Sequence, residues 1–89
     1  MSRWRKALGR ILGEGSTQSI RFDDLCTVLE RLGFEDHRRR GSHHIFLKAG
    51  IAEIVNIQPR PDATAKPYQV RQIRQLVLRY GLHLTVERS

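Results

Sequence analysis

The sequence predicts an α+β fold: a helix, a three-stranded antiparallel sheet and a second helix, preceded by a short helical extension. Three observations predict it. One apolar stripe at helical spacing runs from Phe22 to Leu32, and a second runs from Val70 to Tyr80. Between them the period changes to β-rich runs broken by turn residues. Two helices laid on one face of a small sheet bury both stripes at once.

The elements follow in chain order. Residues 3–12 read as a short helix with Trp4, Leu8, Ile11 and Leu12 at helical spacing. Gly13, Gly15 and Ser16 then break it, so residues 1–19 read as an appendage on a flexible linker and 20–89 as the domain. Phe22, Leu25, Cys26, Leu29 and Leu32 form one stripe of the next helix, with Asp23 and Asp24 in the dipole-favoured first turn. Gly33 stops it, and Phe34 is the apolar residue expected after such a cap. Three strands are expected at about 34–40, 43–48 and 51–58, with turns at Gly41-Ser42 and Ala49-Gly50. Short turns make neighbouring strands antiparallel. Pro59 and Pro61 end the sheet, and Pro67 suits the first turn of a helix. Val70, Ile73, Val77 and Tyr80 make its inner stripe, with Leu76 at the margin, and Gly81-Leu82 closes it. This order has the topology of a double-stranded-RNA-binding domain, and topology by itself does not assign function.

An 89-residue chain suffices for one small domain. Sixteen Lys+Arg against nine Asp+Glu give a formal charge of +7, which attracts polyanions whatever their sequence. No apolar run approaches the ~20 residues of a membrane span, and the N-terminal run is too short and broken for a signal peptide. A single cysteine, Cys26, forms no internal disulfide, which suits a reducing cytoplasm. On the first helix stripe it reads as core.

The charge has a pattern. From Ala63 to Val86 there is no acidic residue, while Lys66, Arg71, Arg74 and Arg79 are basic. Arg71 and Arg74 share a helix face, and Lys66 stands at the helix start, where backbone N–H groups favour phosphate. Arg38, Arg39 and Arg40 alternate sides along a strand and cannot form one row. A solvated polar face and a polyanion-binding face both fit these residues. Asp62 is the one acid near the long loop, with no partner in view.

His43 and His44 also alternate, His43 with Ile45 and Leu47, His44 with Phe46 and Lys48. Adjacent strand histidines cannot easily share a metal ion, and no Cys or further His stands at ligand spacing. An imidazole can accept a proton from a ribose 2′-OH or deliver one to a leaving oxygen. A structural strand histidine is the plainer reading.

Together these residues resemble a known family. Leu32-Gly33-Phe34 at a helix end, then Gly41-Ser42-His43-His44-Ile45-Phe46, a strand ending at Pro59, and a basic helix around Val70-Arg71-Gln72-Ile73 look like the HicA toxins. The resemblance covers residues 20–82. It implies a small, cofactor-free, cytoplasmic ribonuclease that cleaves mRNA and is neutralised by a HicB-family antitoxin. The catalytic histidine of the Gly-Ser-His motif falls on His43. Two departures are visible: Pro59-Arg60-Pro61 stands where many members carry Pro-x-His, and Lys66-Pro67-Tyr68-Gln69 stands where the final helix often opens with Thr. The N-terminal extension is additional.

The expectation is therefore a metal-independent endoribonuclease. His43 acts as general acid or base, and Arg40, Ser42, His44, Lys66, Arg71 and Arg74 contact RNA. The alternative is a non-catalytic RNA-binding module of the same topology, reading phosphates and 2′-OH groups. A basic face that docks an acidic partner protein is a third reading.

Overall fold

The computed structural model describes residues 2–14, 19–37, 41 and 43–84. Its elements are α1 (Arg3–Gly9), continued by a wide helical turn over Arg10–Glu14, then α2 (Phe22–Arg31), β1 (Glu35–Asp36), β2 (His44–Leu47), β3 (Val55–Ile57) and α3 (Pro67–Tyr80). The sheet order is β1-β2-β3, all antiparallel. The α+β arrangement is the one the two stripes required.

α2 buries Phe22, Leu25, Val28 and Leu29. Cys26, expected in the core, is only half-buried and packs at its margin, while Val28 takes the inward position. The helix ends in a Schellman motif. Gly33 at φ 100° lets its own N–H reach Glu30 O at 3.0 Å and the Phe34 N–H reach Leu29 O at 3.0 Å. Phe34 is thereby turned into the core. α3 ends the same way through Gly81, with Leu82 N–H on Val77 O at 3.1 Å. Its buried side is Gln69, Val70, Ile73, Leu76 and Val77. Leu76 is thus core, and Tyr80, expected inward, is exposed and donates its hydroxyl to Glu53 Oε1 at 2.5 Å.

The strands are shorter than the β-rich runs suggested. β1 and β2 pair Glu35 with Leu47 and Asp36 with Phe46, while β2 and β3 pair His44 with Ile57 and Phe46 with Val55. Residues 51–54 are not strand, because the turn that bonds Ile51 N–H to Lys48 O delays pairing until Val55. His44, Phe46, Val55 and Ile57 point to the buried face, and Leu47 and Asn56 to the exposed one. Gln69 was not foreseen in the core. Its Nε2 donates to Asn56 O and its Oε1 accepts from the Gln58 N–H, each at 3.4 Å, and so it covers backbone groups of β3 and of the residue that follows it.

The N-terminal helix packs against this core. Ala7 and Ile11 are buried, and Trp4 and Leu8 pack against the same cluster. The guanidinium groups of Arg5 and Arg31 lie 4.7 and 5.0 Å from the Trp4 ring centre. Arg74 Nε donates to Ile11 O at 2.6 Å, joining α3 to the turn that follows α1. The buried cluster therefore takes in residues from both the N-terminal helix and the segment from Ile20 onward.

The segment between β3 and α3 is ordered by local bonds. Ala63 adopts φ 68°, Arg60 N–H bonds Thr64 O at 2.9 Å, and Asp62 Oδ1 accepts from the Thr64 N–H and hydroxyl at 3.1 and 2.5 Å. Asp62 thus has a partner after all. The loop then pairs with the start of α2, through Phe22 N–H to Ala63 O at 2.9 Å and Ala65 N–H to Ile20 O at 2.7 Å. Loop, α2 start and β2 start meet at one end of the molecule.

Candidate active site

The alternation of β2 decides which histidine goes where. Phe46 must face the core, so His44 does too, and His43 is turned out to solvent. Strand β1 brings the carboxylate. Phe34 is buried, and Asp36, two residues later, shares its face. Asp36 stands opposite Phe46, which makes it the diagonal cross-strand neighbour of His44.

The result is a His–Asp pair at the sheet end. His44 Nδ1 lies 2.9 Å from Asp36 Oδ2, and the two side chains are 11% and 19% exposed. The imidazole is also boxed by aromatics. Phe22 meets it edge-on at 5.2 Å between ring centres, and Phe46 lies nearly parallel at 6.1 Å. A ring held on three sides has one orientation. A carboxylate at Nδ1 favours the tautomer with its proton there, which leaves Nε2 as the unprotonated ring nitrogen. The other carboxylate oxygen, Asp36 Oδ1, is buried without a hydrogen-bond partner among the described residues.

The remaining expected residues are spread around this end. His43 is exposed next to the pair, and Gly41, at φ 47°, forms the exposed turn before it. Arg40 and Ser42 lie outside the described residues, as do Arg38 and Arg39. Lys66 is half-buried at the N-cap of α3, one residue past the Ala65 that pairs with Ile20. Arg71 is exposed on α3. Arg74 is half-buried and donates its Nε to Ile11 O.

Sequence reasoning did not single out Asp36. The available signal was its spacing of two from Phe34, which puts a carboxylate on the core face of a strand. Asp62 carries a lowered pKa, first from the Thr64 hydroxyl, then from the Thr64 N–H and the nearby Arg60 charge. Its bonds close the loop and make no contact with the histidines. Among the described residues no cluster of His, Cys, Asp and Glu could hold a metal ion, and no helix is long and apolar enough to cross a membrane.

A search of curated proteins and a search of solved structures each found no match. The family model described as the HicA toxin of bacterial toxin–antitoxin systems matches residues 22–79, from the first residue of α2 to the last turn of α3. That span includes the Gly33 cap of α2, the three strands, and the His44–Asp36 pair, and the chain belongs to the HicA toxin family, whose members act as toxins held in check by a cognate antitoxin.

Proposed function

We propose that the protein is a metal-independent endoribonuclease that cleaves mRNA and so arrests translation, working in the cytoplasm under the control of a HicB-family antitoxin. The observation that carries the assignment of the site is the 2.9 Å contact between His44 Nδ1 and Asp36 Oδ2. The motif resemblance pointed to His43. The geometry favours His44, because an acid–base group works best when its ring is oriented before substrate arrives. His43, exposed beside it, becomes an RNA contact together with Arg40, Ser42, Lys66 and Arg71. Arg74 contributes less, being tied to Ile11.

In this reading Nε2 of His44 takes the proton of a ribose 2′-OH. The new O2′–P bond forms, the P–O5′ bond breaks, and the leaving 5′-oxygen is protonated from solvent. The products are a 2′,3′-cyclic phosphate and a 5′-OH end. Basic side chains stabilise the charge on the phosphorane oxygens. One poised imidazole supplies about two to four powers of ten in rate, which makes for a slow enzyme.

The test is cleavage of a long single-stranded RNA in EDTA by wild type, His44→Gln and His43→Ala, each shown to be folded by circular dichroism. His44→Gln is expected to lose at least about a hundred-fold in rate and His43→Ala only a few-fold. Loss in His43→Ala alone would return catalysis to the exposed histidine. RNA binding with no cleavage by any variant would leave a non-catalytic RNA-binding module.

A further inference from the structure

A second charged feature lies outside the family match, on the N-terminal helix. A cavity of about 260 Å³ sits between α1, the chain entering α2 and the first turn of α2. Its wall carries four cationic side chains, Arg3, Lys6, Arg10 and Arg21, and one carboxylate, Asp24. Arg3, Lys6 and Arg10 come from one helical stripe at spacings of three and four. Like charges at such spacings repel and destabilise the helix. Asp24 meets Arg3 at a loose 3.6 Å, so the wall keeps an excess of positive charge. Ala7, itself buried, lies between the cations on the same wall.

The cavity and the histidine pair are linked through adjacent residues of the chain. Arg21 is on its wall, and the following residue, Phe22, is the one whose ring edges onto His44 at 5.2 Å. A strand of RNA that placed one phosphate at His44 would pass its neighbouring phosphates over Phe22 toward Arg21. Several cationic residues around one small hollow match a compact anion whose charge is spread over several oxygens, which is the chemistry of a phosphodiester. An acidic peptide carries its charges on separate side chains and needs a row of sites.

We propose that this cavity is a phosphate subsite of the RNA-binding surface, built by the N-terminal helix and holding a backbone phosphate that flanks the one attacked at His44. The location of the flanking phosphate rests on the ribonuclease reading, while the subsite itself is tested by binding alone. The experiment is fluorescence anisotropy of a labelled 2′-O-methyl RNA, which lacks the attacking hydroxyl, titrated with the full chain over a range of KCl. Wild type is compared with the double variant Arg3→Gln/Lys6→Gln, both positions being exposed. Arg5→Gln is the control. It lies on the same helix, is equally cationic and does not line the cavity.

The double variant should bind at least about ten-fold more weakly. Its log–log salt slope should be shallower by about 0.7 for each phosphate that is no longer neutralised, while Arg5→Gln stays near wild type. An unchanged slope in the double variant overturns the proposal. So does an equal loss in Arg5→Gln, which would mean net charge alone. A labelled oligoglutamate that binds more tightly than the RNA, with the same dependence on Arg3 and Lys6, also overturns it in favour of an acidic protein partner. Cleavage of unmodified RNA is read in parallel. If wild type binds as expected but does not cleave, the catalytic reading fails and the subsite stands.

Discussion

Asp36 is an odd residue to keep on the core face of a strand. One of its oxygens meets His44 Nδ1, and the other is buried without a partner among the described residues, a situation that costs about 1–3 kcal/mol. Replacing Asp36 by Ala removes that orphan oxygen but leaves His44 Nδ1 unsatisfied, so the two changes offset. The expected result is a urea unfolding free energy within about 1 kcal/mol of wild type, beside a fall in RNA cleavage of roughly ten- to a hundred-fold. The ring should also lose its single tautomer in long-range ¹H–¹⁵N spectra of His44. Full cleavage by the variant would reduce Asp36 to a packing residue. A carboxylate that orients an imidazole is visible only in three dimensions. The sequence showed the alternation that separates His43 from His44, but the partner comes from a different strand, eight positions away. That is why the motif singles out the first histidine, while the contact with a carboxylate is found at the second.

At the level of elements, what could be read was what depends on near neighbours. The stripes of α2 and α3 and the two glycine caps were legible because helix periodicity and cap geometry are set within a turn. The edges of the stripes were not. Leu76 and Tyr80 exchanged roles because Glu53, from the irregular segment before β3, offers an acceptor to the Tyr80 hydroxyl and a partner to Arg79 at 2.9 Å. Arg74 was placed on a helix face by its spacing, and its acceptor lies 63 residues earlier. The Glu53 cluster has a consequence for pH. The Tyr80 hydrogen bond, then backbone bonding and Arg79, hold the Glu53 carboxyl below its ordinary value of 4.5. A carboxylate whose pKa is lowered on folding stabilises the native state fully above its unfolded value. That contribution fades as pH falls through the folded value, which here lies below 4.5. Asp62 acts with the same sign below its ordinary 3.8. Urea midpoints of wild type should therefore drop between about pH 5 and 3, and Glu53→Gln should start lower and drop less. Parallel curves for the two proteins would show that the cluster does not couple folding to protons.

For the molecule as a whole, the question is where the domain begins. The family match starts at Phe22, and the hydrophobic cluster does not. Ile11 is fully buried, Ala7 nearly so, and Trp4 and Leu8 pack at the edge of the same cluster. The segment between them and α2 holds Ile20, itself 1% exposed. A domain of this size has only about 5–15 kcal/mol of stability to lose. Emptying the Ile11 site alone is worth about 2–5 kcal/mol, the usual range for truncating a buried Ile to Ala. Deleting residues 1–14 goes further, since it uncovers apolar surface on α2 and leaves Arg74 without its carbonyl acceptor. The shortened chain should lose the cooperative thermal transition of the full protein, while Ile11→Ala keeps the transition at a Tm lower by roughly 10 °C or more. Loss of the transition only on deletion, with an intermediate Tm for Ile11→Ala, would mean that this protein has extended the family core by one helix. A sharp transition at the wild-type Tm in the shortened chain would mean that residues 22–79 fold without it, and that α1 is held on the molecule for its cationic face alone.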